Sequence, residues 1–189
     1  MARWEANSQG RLAQAALALY SERGFEQTTV AEIARRAGLT ERTFFRHFAD
    51  KREVLFWAAA SLQELLVSAV IRGPDSVTPI DAIAAALESV TATIFQGRRE
   101  YSRQRQAVIV ADARLQEREL IKLAALTAAM ADALRQRGVS EPTASLAAEA
   151  GIVVFKIAFE RWIDEGEGRE LSPLIRELLD EFRAVTAGK

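Results

Sequence analysis

Glycine and proline fall at only a few points along this 189-residue chain, and between them Ala, Leu, Glu and Arg dominate. Those residues lose little freedom in a helix, whereas glycine and proline interrupt one. The chain is thereby constrained to an all-α fold with short connections. The punctuation divides it into about nine helices, near residues 8–23, 30–37, 41–47, 51–72, 78–96, 98–112, 114–137, 143–165 and 173–186. The breaks fall at Gly24, at Gly38-Leu39-Thr40, at Gly73-Pro74, at Gly97, from Gly138 to Pro142 and from Gly166 to Ser172. No internal repeat or low-complexity segment interrupts this order.

Composition narrows the functions open to such a fold. Hydrophobic residues make up 49% of the chain, enough for a sizeable core without covalent staples. Cysteine is absent, which excludes disulfides, zinc–cysteine sites and thiol chemistry, and no cofactor or metal is expected. Residues 1–7 hold no apolar run of the signal-peptide kind. No stretch of about 18 uninterrupted apolar residues is present, so no membrane span is expected and the protein is read as cytoplasmic. The net charge of −1 points to no partner by itself. Residues 1–51 carry a net +2 and the remainder −3, an asymmetry too weak to argue from alone.

The strongest local pattern lies between residues 28 and 51. Val30, Ile33, Ala34 and Ala37 recur at helical spacing, and Thr29 with Glu32 three residues on forms a capping-box pattern. After the Gly38-Leu39-Thr40 turn, Phe44 and Phe48 supply the matching apolar stripe of the next short helix. Neither helix is long enough to stand alone. They must pack on each other and on the first helix, around Leu12, Ala16, Leu19, Ile33, Phe44 and Phe48. A short glycine-containing turn between two such helices is the arrangement of a helix-turn-helix.

With Phe44 and Phe48 turned inward, Arg42, Thr43, Phe45 and Arg46 face outward. That face suits the major groove, where arginine can bond guanine in a bidentate way and Thr43 and Phe45 can meet a thymine methyl or a sugar. Thr28, Thr29, Arg46, His47 and Lys51 are read as phosphate contacts, along with the start of the fourth helix beyond Asp50. Thr29 is first a helix cap. His47 has no second histidine or cysteine with which to share a metal, so phosphate contact and plain packing both stay open.

The run from Arg11 to Phe56 resembles the tetracycline-repressor (TetR) family. The resemblance rests on Gly24-Phe25, Thr28-Thr29, Ile33-Ala34, Gly38-Leu39, Phe44-Phe45 and Phe48 followed by Lys51. It covers the first 55 or so residues. Members of that family commonly carry tyrosine where Phe45 stands, so here only the ring contact carries over. The resemblance implies a DNA-binding head (1–51) on an effector-binding and dimerisation body (52–189). It further implies a homodimer on a palindromic double-stranded DNA operator, and a small-molecule effector, of unknown identity, that changes the spacing of the heads.

The body is read from pattern. The helix near 143–165 is apolar nearly all round, with a small-residue face (Ala147, Ala150, Gly151, Val154, Ala158) and a bulkier one (Ile152, Phe155, Phe159, Trp162, Ile163). The small face is assigned to a partner helix. Ala150, Val154 and Ala158, with Leu174, Leu178 and Phe182 of the last helix, are the expected dimer seam. Trp57, Phe95, Tyr101, Met130, Phe155 and Phe159 are candidate walls of an effector cavity, with ordinary core packing as the alternative for each. The arginines at 98, 99, 103 and 105 are read as a solvated face. An enzyme is disfavoured, since no phosphate loop, metal-ligand pair or nucleophile arrangement is present. The leading expectation is a ligand-responsive repressor. An activator of the same fold stays open, whereas an adaptor that has lost DNA binding is disfavoured, since Arg42, Arg46 and Lys51 keep cations on the recognition face.

Overall fold

The computed structural model describes residues 2–164 and 168–188, with side chains from Ser8 onward. Among them are nine α-helices, one 3-10 turn and no strand. They are α1 (Ala2–Arg23), α2 (Val30–Arg36), α3 (Glu41–His47), a 3-10 turn (Glu53–Phe56), α4 (Ala59–Arg72), α5 (Pro79–Ile94), α6 (Arg99–Val110), α7 (Ala113–Gln136), α8 (Thr143–Asp164) and α9 (Leu171–Thr186). Gly166, where the last break was expected to begin, lies outside the described residues.

The chain forms two compact units, one of Met1–Ala59 with Tyr101–Leu120, the other of Ala60–Glu100 with Ile121–Lys189. The first therefore takes in more than the head drawn at residue 51. Leu12, Ala16, Leu19, Ile33, Phe44 and Phe48 are all buried in it, joined by Val54, Leu55 and Phe56 and by Val108, Ile109 and Leu115 around the α6–α7 corner. Polar contacts tie the same pieces together. Arg105 donates through Nε to Leu55 O at 2.9 Å, pairs with Glu119 at 3.2 Å and lies over the Phe56 ring. Arg114 bonds both Asp112 and Glu26 and sits over the Phe25 ring.

In the second unit α5, α8 and α9 pack together, with Leu66 and Val70 of α4 and Met130 and Leu134 of α7 in the same core. Thr78 caps α5 through the Asp81 amide and Pro79 opens it. Gly151 allows α8 to approach α5 closely, because a Cβ there would meet Ile83 Cγ2 at 2.2 Å.

The fourth helix does not run unbroken from residue 51. The Asp50 carboxylate accepts from the Arg52 and Glu53 amides at 2.8 and 3.3 Å, and a 3-10 turn precedes α4. Residues Glu53–Arg72 are long and apolar enough to cross a membrane by length and composition alone. Val54, Leu55 and Phe56 are core residues of the first unit, and Leu66 and Val70 of the second.

Candidate nucleic-acid interface

Local chemistry sets the position of α3. Thr29 and Glu32 cap α2 reciprocally: the Thr29 amide donates to Glu32 Oε2 at 2.9 Å, and the Glu32 amide to Thr29 Oγ1 at 3.2 Å. The Thr29 amide and hydroxyl, each donating to Glu32 Oε2 at 2.9 Å, together with Arg23 at 2.9 Å, hold the Glu32 carboxyl down at about 2. The α2–α3 turn closes as a Schellman motif, with the Leu39 amide donating to Ala34 O at 2.8 Å and the Gly38 amide to Arg35 O at 3.0 Å. Gly38 takes φ +65°, and a Cβ there would sit 2.8 Å from the Arg11 guanidinium, which bonds Ala37 O. The left-handed φ is the demand that favours glycine, since the guanidinium is the far end of a flexible side chain that yields. Thr40 then caps α3 by accepting the Thr43 amide at 3.2 Å.

Phe44 fixes the rotation of α3. It is wholly buried, with Phe45 and Phe48 ring centroids 5.5 and 5.4 Å away, a burial worth roughly 1.5–3 kcal/mol. The opposite side is thereby forced into solvent. Arg42 and Arg46 are exposed, Phe45 is 55% exposed, and Thr43 and His47 are half-buried. His47 Nε2 lies 3.4 Å from Arg46 Nη2 and its ring leans on Phe48. The face expected to carry arginine, threonine and an aromatic edge therefore exists as one surface.

Two residues assigned to phosphate lie elsewhere. Thr28 is 0% exposed, and its hydroxyl donates to Gly24 O at 3.0 Å, so it locks the α1–α2 loop from inside. Lys51 Nζ donates to Phe25 O, Glu26 O and Thr28 O at 2.9, 3.2 and 2.9 Å, and stands 4.4 Å from the Phe25 ring centroid. All three ammonium donors are engaged by that loop. Tyr20 seals its other side by donating to Lys51 O at 2.7 Å, and burial, with nearby Asp50, raises its hydroxyl pKa. The amides past Asp50, expected to receive a phosphate, already serve the Asp50 carboxylate. Thr29 is exposed, but its hydroxyl also bonds Glu32, consistent with its role as a cap.

In the second unit, Phe95, Phe155 and Phe159 come together as one ring cluster. Their centroids are 5.9–6.2 Å apart, and Trp162 lies 5.8 Å from both Phe95 and Phe159. The three phenylalanines are half-buried and Trp162 is buried beneath them. Arg99 lies half-buried over the cluster, its guanidinium 5.5 Å from the Trp162 ring, while Arg98 and Arg103 are exposed. Met130 is fully buried in the same unit's core. Trp57 and Tyr101 fall in the first unit, Trp57 exposed and Tyr101 half-buried against its core. The pairing of Phe155 with Phe159 is legible from their spacing, but the approach of Phe95, Arg99 and Trp162 is not.

Both faces of α8 turn onto the chain's own core: Ile152, Trp162 and Ile163 of the bulkier face are buried there as expected, and so is most of the small-residue face. Val154, Ala158 and, on α9, Leu174 are buried in the chain's own core, so they do not face a partner. The reason is Gly151, which draws the small-residue face onto α5. Leu178 and Phe182 are half-buried against that core, and Ala150 is half-buried at the edge. The side of α8 turned to solvent carries Leu146, Val153 and Ile157, each more than 40% exposed. Their spacing could have found them, had α8 not been apolar nearly all round.

Two short helices set by a glycine turn, the second held by phenylalanine and presenting arginine, define a helix-turn-helix protein. Residues 12–56 match the bacterial regulatory proteins of the tetR family, and residues 77–187, more than half the chain, match the MftR C-terminal domain. The chain belongs to the tetR family, a family of transcriptional regulators. A 90-residue stretch is 34% identical to the HTH-type transcriptional regulator TcmR of Streptomyces glaucescens, covering 48% of this chain and 40% of TcmR. The chain thus spans less than half the length of that relative. Among solved structures, the SmeT–triclosan complex is 22% identical with a TM-score of 0.66, covering 94% of this chain and 90% of that one. SmeT is the repressor of a Stenotrophomonas maltophilia multidrug efflux pump. Bacillus subtilis FadR in complex with stearoyl-CoA is 17% identical with a TM-score of 0.61, covering 90% and 95%. These two likenesses establish the fold.

Proposed function

We propose that this chain is a cytoplasmic, ligand-responsive transcriptional repressor that binds a palindromic operator as a homodimer and leaves it when a small molecule binds the body. The observation that carries the reading is the solvent face of α3, where Arg42, Thr43, Phe45 and Arg46 stand opposite the buried Phe44. Arg42 reads a guanine edge and Arg46 holds a phosphate. Thr29 is a minor backbone contact, and His47 supports Arg46. Two-fold symmetry is what a pair of heads needs to read two half-sites, and the Leu146–Val153–Ile157 stripe is the surface we assign to the second copy. The half-buried rings of Phe95, Phe155 and Phe159 are the wall we assign to an apolar effector. The triclosan and stearoyl-CoA bound by two proteins of the same fold support that assignment. No catalytic step is part of this function.

The test is binding to DNA selected from a random pool, titrated with salt. Specific binding should weaken steeply, by a slope of about −0.9 per phosphate neutralised. Arg42→Ala should cost about 1–3 kcal/mol and relax preference at one base position per half-site. Equal binding of wild type and Arg42→Ala to selected and scrambled duplexes would remove α3 from the reading.

A further inference from the structure

We propose that α3 reads its half-site through thymine methyl groups, met by the Thr43 methyl on one flank and the Phe45 ring on the other. The inference rests on the operator-binding reading above and names its chemistry. The Thr43 hydroxyl is held beside the cap of α3: Oγ1 lies 3.0 Å from Thr40 Oγ1, either of the two serving as donor, and Thr40 Oγ1 itself accepts the Thr43 amide at 3.2 Å. Turning the hydroxyl toward a base edge would break a contact that supports the cap of α3. With the hydroxyl held at the cap, the Cγ2 methyl is the group we assign to the base edge.

Phe45 offers no polar atom at all. It is the most exposed aromatic ring of the first unit's described side chains, and it is braced edge-on against buried Phe44, at 5.5 Å and 81°. At about 100° per residue, Arg42 and Arg46 occupy the middle of the exposed face, with Phe45 and Thr43 on opposite flanks. Only thymine presents a methyl group in the major groove, and guanine presents the acceptor pair that suits arginine. A helix with central arginines and apolar flanks therefore fits a guanine with thymine methyls to either side.

Deoxyuridine isolates the methyl, because it removes only that group and keeps base pairing and the groove acceptor. The wild-type protein first selects a duplex from a random pool, and each thymine is then replaced in turn. One or two positions per half-site should lose about fourfold in affinity, the effect of re-exposing one buried methyl group. Thr43→Ser, which keeps the hydroxyl and drops the methyl, should abolish the sensitivity at one position. Thr43→Val, which keeps a methyl and drops the hydroxyl, should retain it. Phe45→Ala should abolish it at the other position. If the selected duplex binds tightly and no deoxyuridine matters, the proposal is overturned while the operator reading stands. If no duplex is selected at all, the operator reading falls, and this inference with it.

Discussion

Replacing Gly151 with alanine tests which face of α8 is turned inward. The new Cβ would lie 2.2 Å from Ile83 Cγ2, with Ile83 Cβ at 3.5 Å and Leu87 Cδ1 at 3.7 Å. Packed carbons settle roughly 3.5–4.0 Å apart, so the overlap exceeds about 1 Å. Ile83 is 0% exposed and β-branched, and its methyl cannot swing aside without leaving its rotamer well. α8 must back away from α5 instead. Overpacking costs about 1–3 kcal/mol, and an overlap this deep belongs at the upper end. Alanine's better helix propensity returns about 1 kcal/mol, which leaves a net loss of about 2 kcal/mol. Ile83→Ala alone should cost about 2–5 kcal/mol, but it deletes the offending methyl. In that background Gly151→Ala should be neutral or stabilise by up to about 1 kcal/mol. Urea unfolding followed by circular dichroism, run as a double-mutant cycle at several protein concentrations, measures the coupling. Two results would refute the reasoning. One is a Gly151→Ala penalty that persists unchanged beside Ile83→Ala. The other is a loss that varies with protein concentration, as a partner interface would give.

Lys51→Ala should lower the thermal midpoint of the head by several degrees, since it removes three bonds to the 25–28 loop, at about 1–2 kcal/mol for a partly exposed ammonium. It should leave the salt slope of DNA binding unchanged; a slope shallower by about one would restore Lys51 as a phosphate contact. Glu32, whose folded pKa lies near 2 and below its ordinary value, stabilises α2 fully above the unfolded carboxylate range and loses that contribution as pH falls toward 2. Thermal melts between pH 6 and about 2 should therefore show a shallower decline for Glu32→Gln than for wild type; parallel curves would contradict this. Val153→Glu combined with Ile157→Glu should convert a dimer to a monomer in sedimentation velocity without changing helix content, whereas an unchanged dimer would show that the Leu146 stripe is not the seam.

Contacts within a turn or two of helix are written in residue spacing, which is why the head was legible. Thr29 with Glu32, Gly38 and Thr40 each act on amides no more than five residues away. Phe44 and Phe48, four apart, fix the inward side of α3 and so assign Arg42, Phe45 and Arg46 outward. The loop contacts of Lys51 are not legible in the sequence, because a charge there has no direction. The three carbonyls that hold it lie 23–26 residues earlier and converge only when the loop closes on Phe25 and Thr28. Arg114, paired with Glu26 88 residues away, is illegible for the same reason. On α8 the difficulty differs in kind. A helix apolar on every side has no periodicity to orient it, so size was the only cue, and small residues were given to a partner. A glycine inside a helix, at a cost of about 1 kcal/mol, does announce that something approaches closely. What approaches is Ile83, 68 residues earlier on α5, and no pattern local to α8 could have distinguished that side chain from one belonging to a second chain.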